Sequence, residues 1–494
     1  MEARSSGTLW DAFRRRGEEF STLPAVRTSR STLTFAELFA AATRAAETFR
    51  RADVAEGRYI IFAAPNSAGF LPVVLGLWSM SATVGLMSPM NGPSELRAIA
   101  EKASPSAYIV AAALADTWSS ILNARIAPVD LDVAGQRFSM LIPEETGARS
   151  HQDGAALIKF TSGSTGEPKG VALTVENVLA EAVSVTGTLG LTPDDTILAP
   201  VPLSHSYGFD LGGLAMLQSG ATLVLPDAFI GRRVIADLSE ARCSVFLGVP
   251  AMFRLLADMP LREPRNLSSV RYLLSCTAPL SPSLISRFDA RFGAAICQHY
   301  GSSEAGAVTT HVRSAVLDKP DSVGRPMQNV TVRIVDATGR DVPTLAEGEV
   351  IAQSPAVAQQ YVMGAPDDRP LGDGTVSMGD LGKLDAEGFL YLMGRVDQML
   401  NVGGFKVSPL EVTQVLEQYE PVQEAAVTAV RDRQGEEVIY AAVTLRRPAT
   451  EAEILAFCRS QLAEYKVPRR VEIREELPRT ASGKVRLRPE DVEA

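Results

Sequence analysis

The stretch Phe160-Thr161-Ser162-Gly163-Ser164-Thr165-Gly166-Glu167-Pro168-Lys169-Gly170-Val171 decides how the rest of the chain is read. It follows a short apolar run, Ala155 to Phe160, that reads as a buried strand running into a loop. Gly163, Gly166 and Gly170 allow tight turns and let the backbone come close to a ligand. The hydroxyls of Thr161, Ser162, Ser164 and Thr165 add donors, and Lys169 adds one positive charge. A loop so built can surround a polyphosphate with N–H groups, hydroxyls and an ammonium. It is not a Walker A loop, because no Gly-Lys-Ser/Thr closes it and Pro168 precedes the lysine.

The chain has 494 residues, too many for one ordinary domain, and should contain several packed cores. A hydrophobic share of 46% and a charged share of 21% are those of a soluble globular protein. The net charge of −10 argues against a nucleic-acid partner held on a broad basic face. Cys243, Cys276, Cys297 and Cys458 lie far apart with no CxxC pair, so they read as reduced thiols of a cytoplasmic protein. Residues Met1 to Gly17 show no apolar h-region of a secretory signal. From Tyr59 to Ser94 there is no charged residue, which is long enough to span a membrane. Pro65-Asn66-Ser67 interrupts it, and glycines and hydroxyls dilute the remainder. A strand (Tyr59–Ala63), a turn and a buried helix are expected there, with no membrane span.

The patterning alternates helices with short β-branched runs. Thr34 is a plausible N-cap for a helix with apolar positions repeating through Phe49. Tyr108–Val110, Ala127-Pro128-Val129, Val171–Thr174, Val245–Val249 and Val270–Ser275 read as core strands, and Glu176 to about Thr188 as a helix. Towards the carboxyl end, helical spacing covers Leu410–Tyr419 and Glu451–Leu462, the latter capped by Thr450. Strands are expected at Ala425–Val430 and Val438–Leu445. The fold class expected is α/β: a large layered N-terminal domain with several β-sheets and helices, plus a small mobile α+β C-terminal lid.

Position by position, Phe160–Val171 resembles the phosphate-binding loop of the adenylate-forming superfamily, which includes acyl-CoA synthetases, aryl-CoA ligases, peptide-synthetase adenylation domains and firefly luciferase. Further segments resemble that family's motifs in the expected order. Ala199–Phe209 is similar to the segment that opens the helix lining the acyl pocket. The resemblance puts His205 between acyl site and thiol tunnel, at the reacting centre, as a gate or wall; the alternative is a hydrogen-bonded turn histidine. Tyr207 and Gly208 fall in the same pocket wall. Ser275-Cys276-Thr277-Ala278-Pro279 is similar to a Gly-Ala-Ala-Pro stretch whose backbone lies against adenine and acyl group. Cys276 replaces a glycine there and should narrow the cavity.

Gln298-His299-Tyr300-Gly301-Ser302-Ser303-Glu304 resembles the family's Tyr-Gly-x-Thr-Glu. This implies stacking of Tyr300 on adenine, an α-phosphate contact from the Ser303 hydroxyl, and Mg²⁺ held by Glu304. His299 either narrows the acyl pocket further or packs beneath the nucleotide loop. Ser377–Leu381 is similar to Thr-Gly-Asp, with Met378 in place of the threonine, and implies that Asp380 accepts from both ribose hydroxyls. Gly394–Leu400 carries the ribose-contacting Arg395 and the hinge Asp397. Gly403, Gly404, Phe405 and Lys406 would line the thiol tunnel, and Lys484, in Pro478-Arg479-Thr480-Ala481-Ser482-Gly483-Lys484, is the terminal catalytic lysine.

The resemblance implies a nucleotide- and acyl-binding domain over residues 1–395 and a lid over 396–494. It implies an ATP- and Mg²⁺-dependent ligase that forms an acyl-adenylate and then a thioester. The thiol expected is CoA and the acid small or medium, aryl or aliphatic. The rivals are an acyl carrier protein bearing phosphopantetheine as acceptor, or a free-standing amino-acid adenylation enzyme. Ser206 weighs against the last, since those domains place an amine-binding aspartate at that position, and Asp210 lies out of register. The chain is expected to act as a monomer or homodimer.

Overall fold

The computed structural model describes residues 7–52, 56–128, 131–144, 154–162, 168–240, 242–364, 371–402, 405–431, 437–479, 485 and 487–492. Two large mixed sheets form the body. In the first, the strands Pro24–Arg27, Thr222–Val224, Thr196–Leu198, Val245–Gly248, Tyr272–Ser275 and Cys297–Ser302 run parallel, with antiparallel strands at both edges. In the second, Leu157–Ser162, Thr83–Leu86, Tyr59–Ala63 and Ala107–Ala111 run parallel. The hairpin partner Pro168–Leu173 returns antiparallel beside Leu157–Ser162, pairing Thr161 with Lys169. Parallel strands buried on both faces read as continuous apolar runs, as Tyr59–Ala63 does.

The uncharged stretch is resolved as that strand and the nine-residue helix Phe70–Trp78, every residue of which is buried. The helix packs on Phe35–Arg51 so closely that a Cβ at Gly76 would lie 2.8 Å from the Ala42 carbonyl. No helix among the described residues is long and apolar enough to cross a membrane. Thr34 caps its helix with a full capping box, its hydroxyl accepting from Glu37 N–H and Glu37 accepting in return. One strand falls elsewhere than expected: Ala124–Ile126 is the strand, whereas Ala127 and Pro128 follow it and Val129 lies outside the described residues. The proline has no N–H to give a ladder.

A four-stranded antiparallel sheet (Thr331–Val335, Gly348–Gln353, Thr375–Leu384, Leu390–Arg395) closes the body. The carboxyl-terminal part has its own core around Val407, Val412, Leu416, Ile439, Val443 and Ile454. It contains the hairpin Leu400–Val402 and Phe405–Val407, the helices Pro409–Gln418 and Glu451–Gln461, and a three-stranded sheet. It leans on the body through Glu424, only 9% exposed, which accepts from Arg254 of the body helix Pro250–Asp258. Arg479 meets the other oxygen of Glu424 at 2.5 Å.

Candidate active site

Residues far apart in the chain converge where the parallel strands of the first sheet end, the usual place for a ligand in an open α/β sheet. Tyr300, on Cys297–Ser302, donates its phenol to Asp380 Oδ2 at 2.5 Å across 80 positions of sequence. Burial, then the Asp380 carboxylate, pushes that phenol well above its ordinary value, so it stays a donor. Asp380 and Arg395 are cross-strand neighbours, with Nη1 3.7 Å from Oδ1, and Arg395 Nε reaches Asp397 Oδ1 at 3.3 Å. Tyr300, Asp380, Arg395 and Asp397 therefore form one connected chain.

The turn after Cys297–Ser302 presents Ser303 and Glu304. Ser303 Oγ shares a 2.8 Å hydrogen bond with Ser206 Oγ, which joins this turn to the His205 segment. Glu304 is half-buried, and its Oε1 accepts from the Tyr361 phenol at 3.3 Å. Among the described residues no group of three or more His, Cys, Asp or Glu side chains could enclose a metal. One open carboxylate fits Mg²⁺, which is commonly held by one or two carboxylates with substrate phosphates and water supplying the rest.

His205 is exposed at the start of the short helix Ser206–Gly208, which continues as the π-helical turn Phe209–Leu214. Such turns are frequent at functional sites. Asn66, from the turn that breaks the uncharged stretch, accepts from Leu203 N–H at 2.8 Å and donates to the Val201 carbonyl at 2.9 Å, holding the segment before His205. Tyr207 is buried, donates to the Leu274 carbonyl at 2.9 Å and stacks on His299 with ring centroids 5.9 Å apart. His299 is buried too, its Nδ1 lacks a partner, and burial lowers its pKa to about 4. It is a neutral ring at physiological pH. Gly208 serves close packing: a Cβ there would stand 2.3 Å from the Pro202 carbonyl.

Cys276 is half-buried beside exposed Thr277, Ala278 and Pro279. Thr277 adopts φ +78°, a left-handed conformation strained for a β-branched residue. Thr161 and Lys169 face one another across the hairpin, and Ser162 pairs in register with Pro168. Gly170 lies within the returning strand and not in a turn, where a Cβ would meet the Val362 side chain at 2.7 Å. Gly301 and Ser302 close the Tyr300 strand, and Ser302 Oγ accepts from Ala305 N–H at 3.1 Å. Phe405 is exposed and stacks on Tyr465 at 4.6 Å, next to exposed Lys406. Gly163, Ser164, Thr165, Gly166, Gly403, Gly404 and Lys484 lie outside the described residues. Arg479 and Val485, on either side of the Lys484 segment, form an antiparallel bridge.

The reading from sequence missed a buried charge cluster beneath this site, Lys159, Asp210 and Glu181. A lysine inside the apolar run Leu157–Phe160 was the signal that could have found it.

Fold and site together define a nucleotide-binding enzyme with a large body and a small terminal domain. The AMP-binding enzyme family is matched over residues 13–362, and the AMP-binding enzyme C-terminal domain over residues 411–484. The chain belongs to the AMP-binding enzyme family. It is 32% identical over 487 residues to a feruloyl-CoA synthase of Amycolatopsis sp, covering 96% of each chain. It is 29% identical to the 2-succinylbenzoate–CoA ligase of Enterococcus faecalis, covering 92% of each. Among solved structures it superposes on the amide bond synthetase McbA of Marinactinospora thermotolerans with a TM-score of 0.83, 26% identity and 97% and 98% coverage. On o-succinylbenzoate CoA synthetase of Bacillus subtilis, in complex with its acyl-adenylate intermediate, it superposes with a TM-score of 0.81, 25% identity and 97% coverage of each chain.

Proposed function

We propose that this AMP-forming acid–thiol ligase activates a small or medium aryl or aliphatic carboxylic acid with ATP and passes the acyl group to CoA. The observation that carries the reading is the Tyr300–Asp380–Arg395 chain, which sets an aromatic face, an ionised acceptor and a guanidinium side by side at the strand ends. That set suits adenine and the two ribose hydroxyls.

In the first half-reaction a carboxylate attacks the α-phosphorus of ATP and pyrophosphate leaves. Nucleophile and phosphate are both anionic, so the barrier is largely electrostatic and positional. Lys484 carries the ammonium that offsets charge between the carboxylate and α-phosphate oxygens. The segment Thr161–Lys169 supplies backbone N–H groups, hydroxyls and Lys169 to the β- and γ-phosphates. Glu304 holds Mg²⁺, which when bound contributes charge neutralisation at the phosphates. In the second half-reaction the domain beyond residue 395 turns about Asp397, presenting Gly403, Gly404, Phe405 and Lys406 to the thiol.

The acid binds among His205, Tyr207, Cys276 and His299. Tyr207 and His299 are buried and stacked, and Cys276 stands where the resemblance places a glycine, which favours a small or medium acid. Asp210 is buried in an ion pair with Lys159 at 2.6 Å, and the position where an amine-binding aspartate would stand is Ser206, bonded to Ser303. This argues against an amino acid as substrate. The protein works in the cytoplasm, in keeping with four cysteines spaced far apart with no CxxC pair.

ATP–pyrophosphate exchange over a panel of aryl, short aliphatic and amino acids tests the proposal. Exchange with at least one aryl or aliphatic acid is expected, followed by thioester formation with CoA. Exchange with none of them defeats it. Turnover with a holo carrier protein but not with CoA would move the acceptor to a protein.

A further inference from the structure

Lys159, Asp210 and Glu181 take no part in the steps above. Lys159 Nζ donates to Asp210 Oδ2 at 2.6 Å, and each side chain is 3% exposed. Lys159 stands two residues before Thr161 on Leu157–Ser162, a strand of the second large sheet. Asp210 stands in the turn Phe209–Leu214, which follows the His205 segment and leads into the first large sheet. The pair therefore ties the strand that leads to the phosphate loop to the helical turn that follows the acyl-wall segment.

Glu181, on the helix Val175–Leu189, completes the cluster. Its Oε1 accepts from Ala307 N–H at 2.9 Å, and a Cβ on Gly306 would fall 2.2 Å from its Oε2. Gly306 and Ala307 follow directly on the turn of Ser303 and Glu304. Burial, then the charge of Asp210, raises the Glu181 carboxyl to about 8 against the pull of Lys159 and the Ala307 N–H. With Glu181 protonated, one ammonium and one carboxylate balance.

Apolar residues of similar volume often hold a fold as well as a buried ion pair does, or better. Apolar packing is also non-directional, whereas a short ion pair between two elements sets a distance. The proposed adenylation needs that distance, because the approach to the phosphate loop and the acyl wall belong to different elements and in-line attack tolerates little misplacement.

We propose that Lys159 and Asp210 are positioning residues for adenylation: their ion pair sets the approach to the phosphate loop in register with the acyl wall, and Glu181 ties the same centre to the turn bearing Glu304. This rests on the function proposed above.

The test is the double variant Lys159→Met/Asp210→Leu, which removes both charges together. Its melting temperature, ATP–pyrophosphate exchange and thioester formation from supplied acyl-adenylate and CoA are compared with wild type. A retained melting temperature is expected. So is an exchange kcat lowered about ten- to hundredfold, with thioester formation from the supplied adenylate unchanged. Wild-type exchange in the double variant overturns the proposal, and so does equal loss in both half-reactions. Should that variant fail to fold, Asp210→Glu keeps both charges and displaces the contact by one methylene. Selective loss of exchange in it supports the proposal; wild-type exchange or equal loss overturns it. The wild type is assayed first, so silence with every acid is recognised as failure of the functional reading itself.

Discussion

Two buried titratable residues, Glu181 and His299, pull stability in opposite directions with pH. Glu181 is raised from 4.5 to about 8, so the folded chain keeps a proton that the unfolded chain releases. Its contribution is complete below pH 4.5 and is lost as pH rises towards 8. His299, lowered from 6.5 to about 4, contributes above pH 6.5 and loses that contribution as pH falls. Glu181→Gln keeps the shape and removes the first titration. Its urea midpoint should gain on wild type steadily across that window; a difference constant with pH would show that no proton is held there. At this scale the sequence was legible where a residue's chemistry is its own. The cross-chain partners (Tyr300 with Asp380, Ser206 with Ser303, Lys159 with Asp210) were not, because nothing local records which distant side chain closes a hydrogen bond.

Elements were read best where ends are written locally. Thr34 and Thr450 each open a helix with a reciprocal capping box, as their Thr-x-x-Glu spacing implies. Thr450→Ala should cost about 1 kcal/mol, measured by chemical denaturation. Because Glu451–Gln461 packs within the small terminal core and not at the nucleotide site, ATP–pyrophosphate exchange should hardly change. A large fall in exchange at full stability would place that helix closer to the chemistry. Gly170 was misassigned as a turn residue, and Ala127 and Pro128 as part of a strand that ends at Ile126. Whether a glycine turns or simply makes room depends on what packs against it, here the strand Gln360–Met363, nearly 200 positions later.

At the scale of the whole molecule, the terminal domain is held to the body by a carboxylate shared between two arginines, Arg254 and Arg479. Arg479 also forms an antiparallel bridge with Val485, and Lys484 lies in the sequence segment between them. In the proposed mechanism that segment serves only the first half-reaction. Lys484→Ala should abolish ATP–pyrophosphate exchange and leave thioester formation from supplied acyl-adenylate largely intact; parallel loss of both would refute its assignment. Asp397 is bonded to Arg395 at the junction of the two cores. Asp397→Pro restricts φ there and should slow complete turnover more than it slows exchange, and undiminished thioester production would count against a hinge at that position.

By itself the chain's order of residues determined the family and the two-part architecture and singled out the candidate nucleotide-binding residues, since glycine spacing, caps and short motifs act through local backbone geometry. Only the tertiary structure decided that Asp210 is spent on Lys159, that His299 is a neutral ring against Tyr207, and that Glu424 joins the terminal domain to the body. Burial and ion pairing depend on side chains brought together from distant positions, and it is their exclusion of water that sets charge state and contact alike.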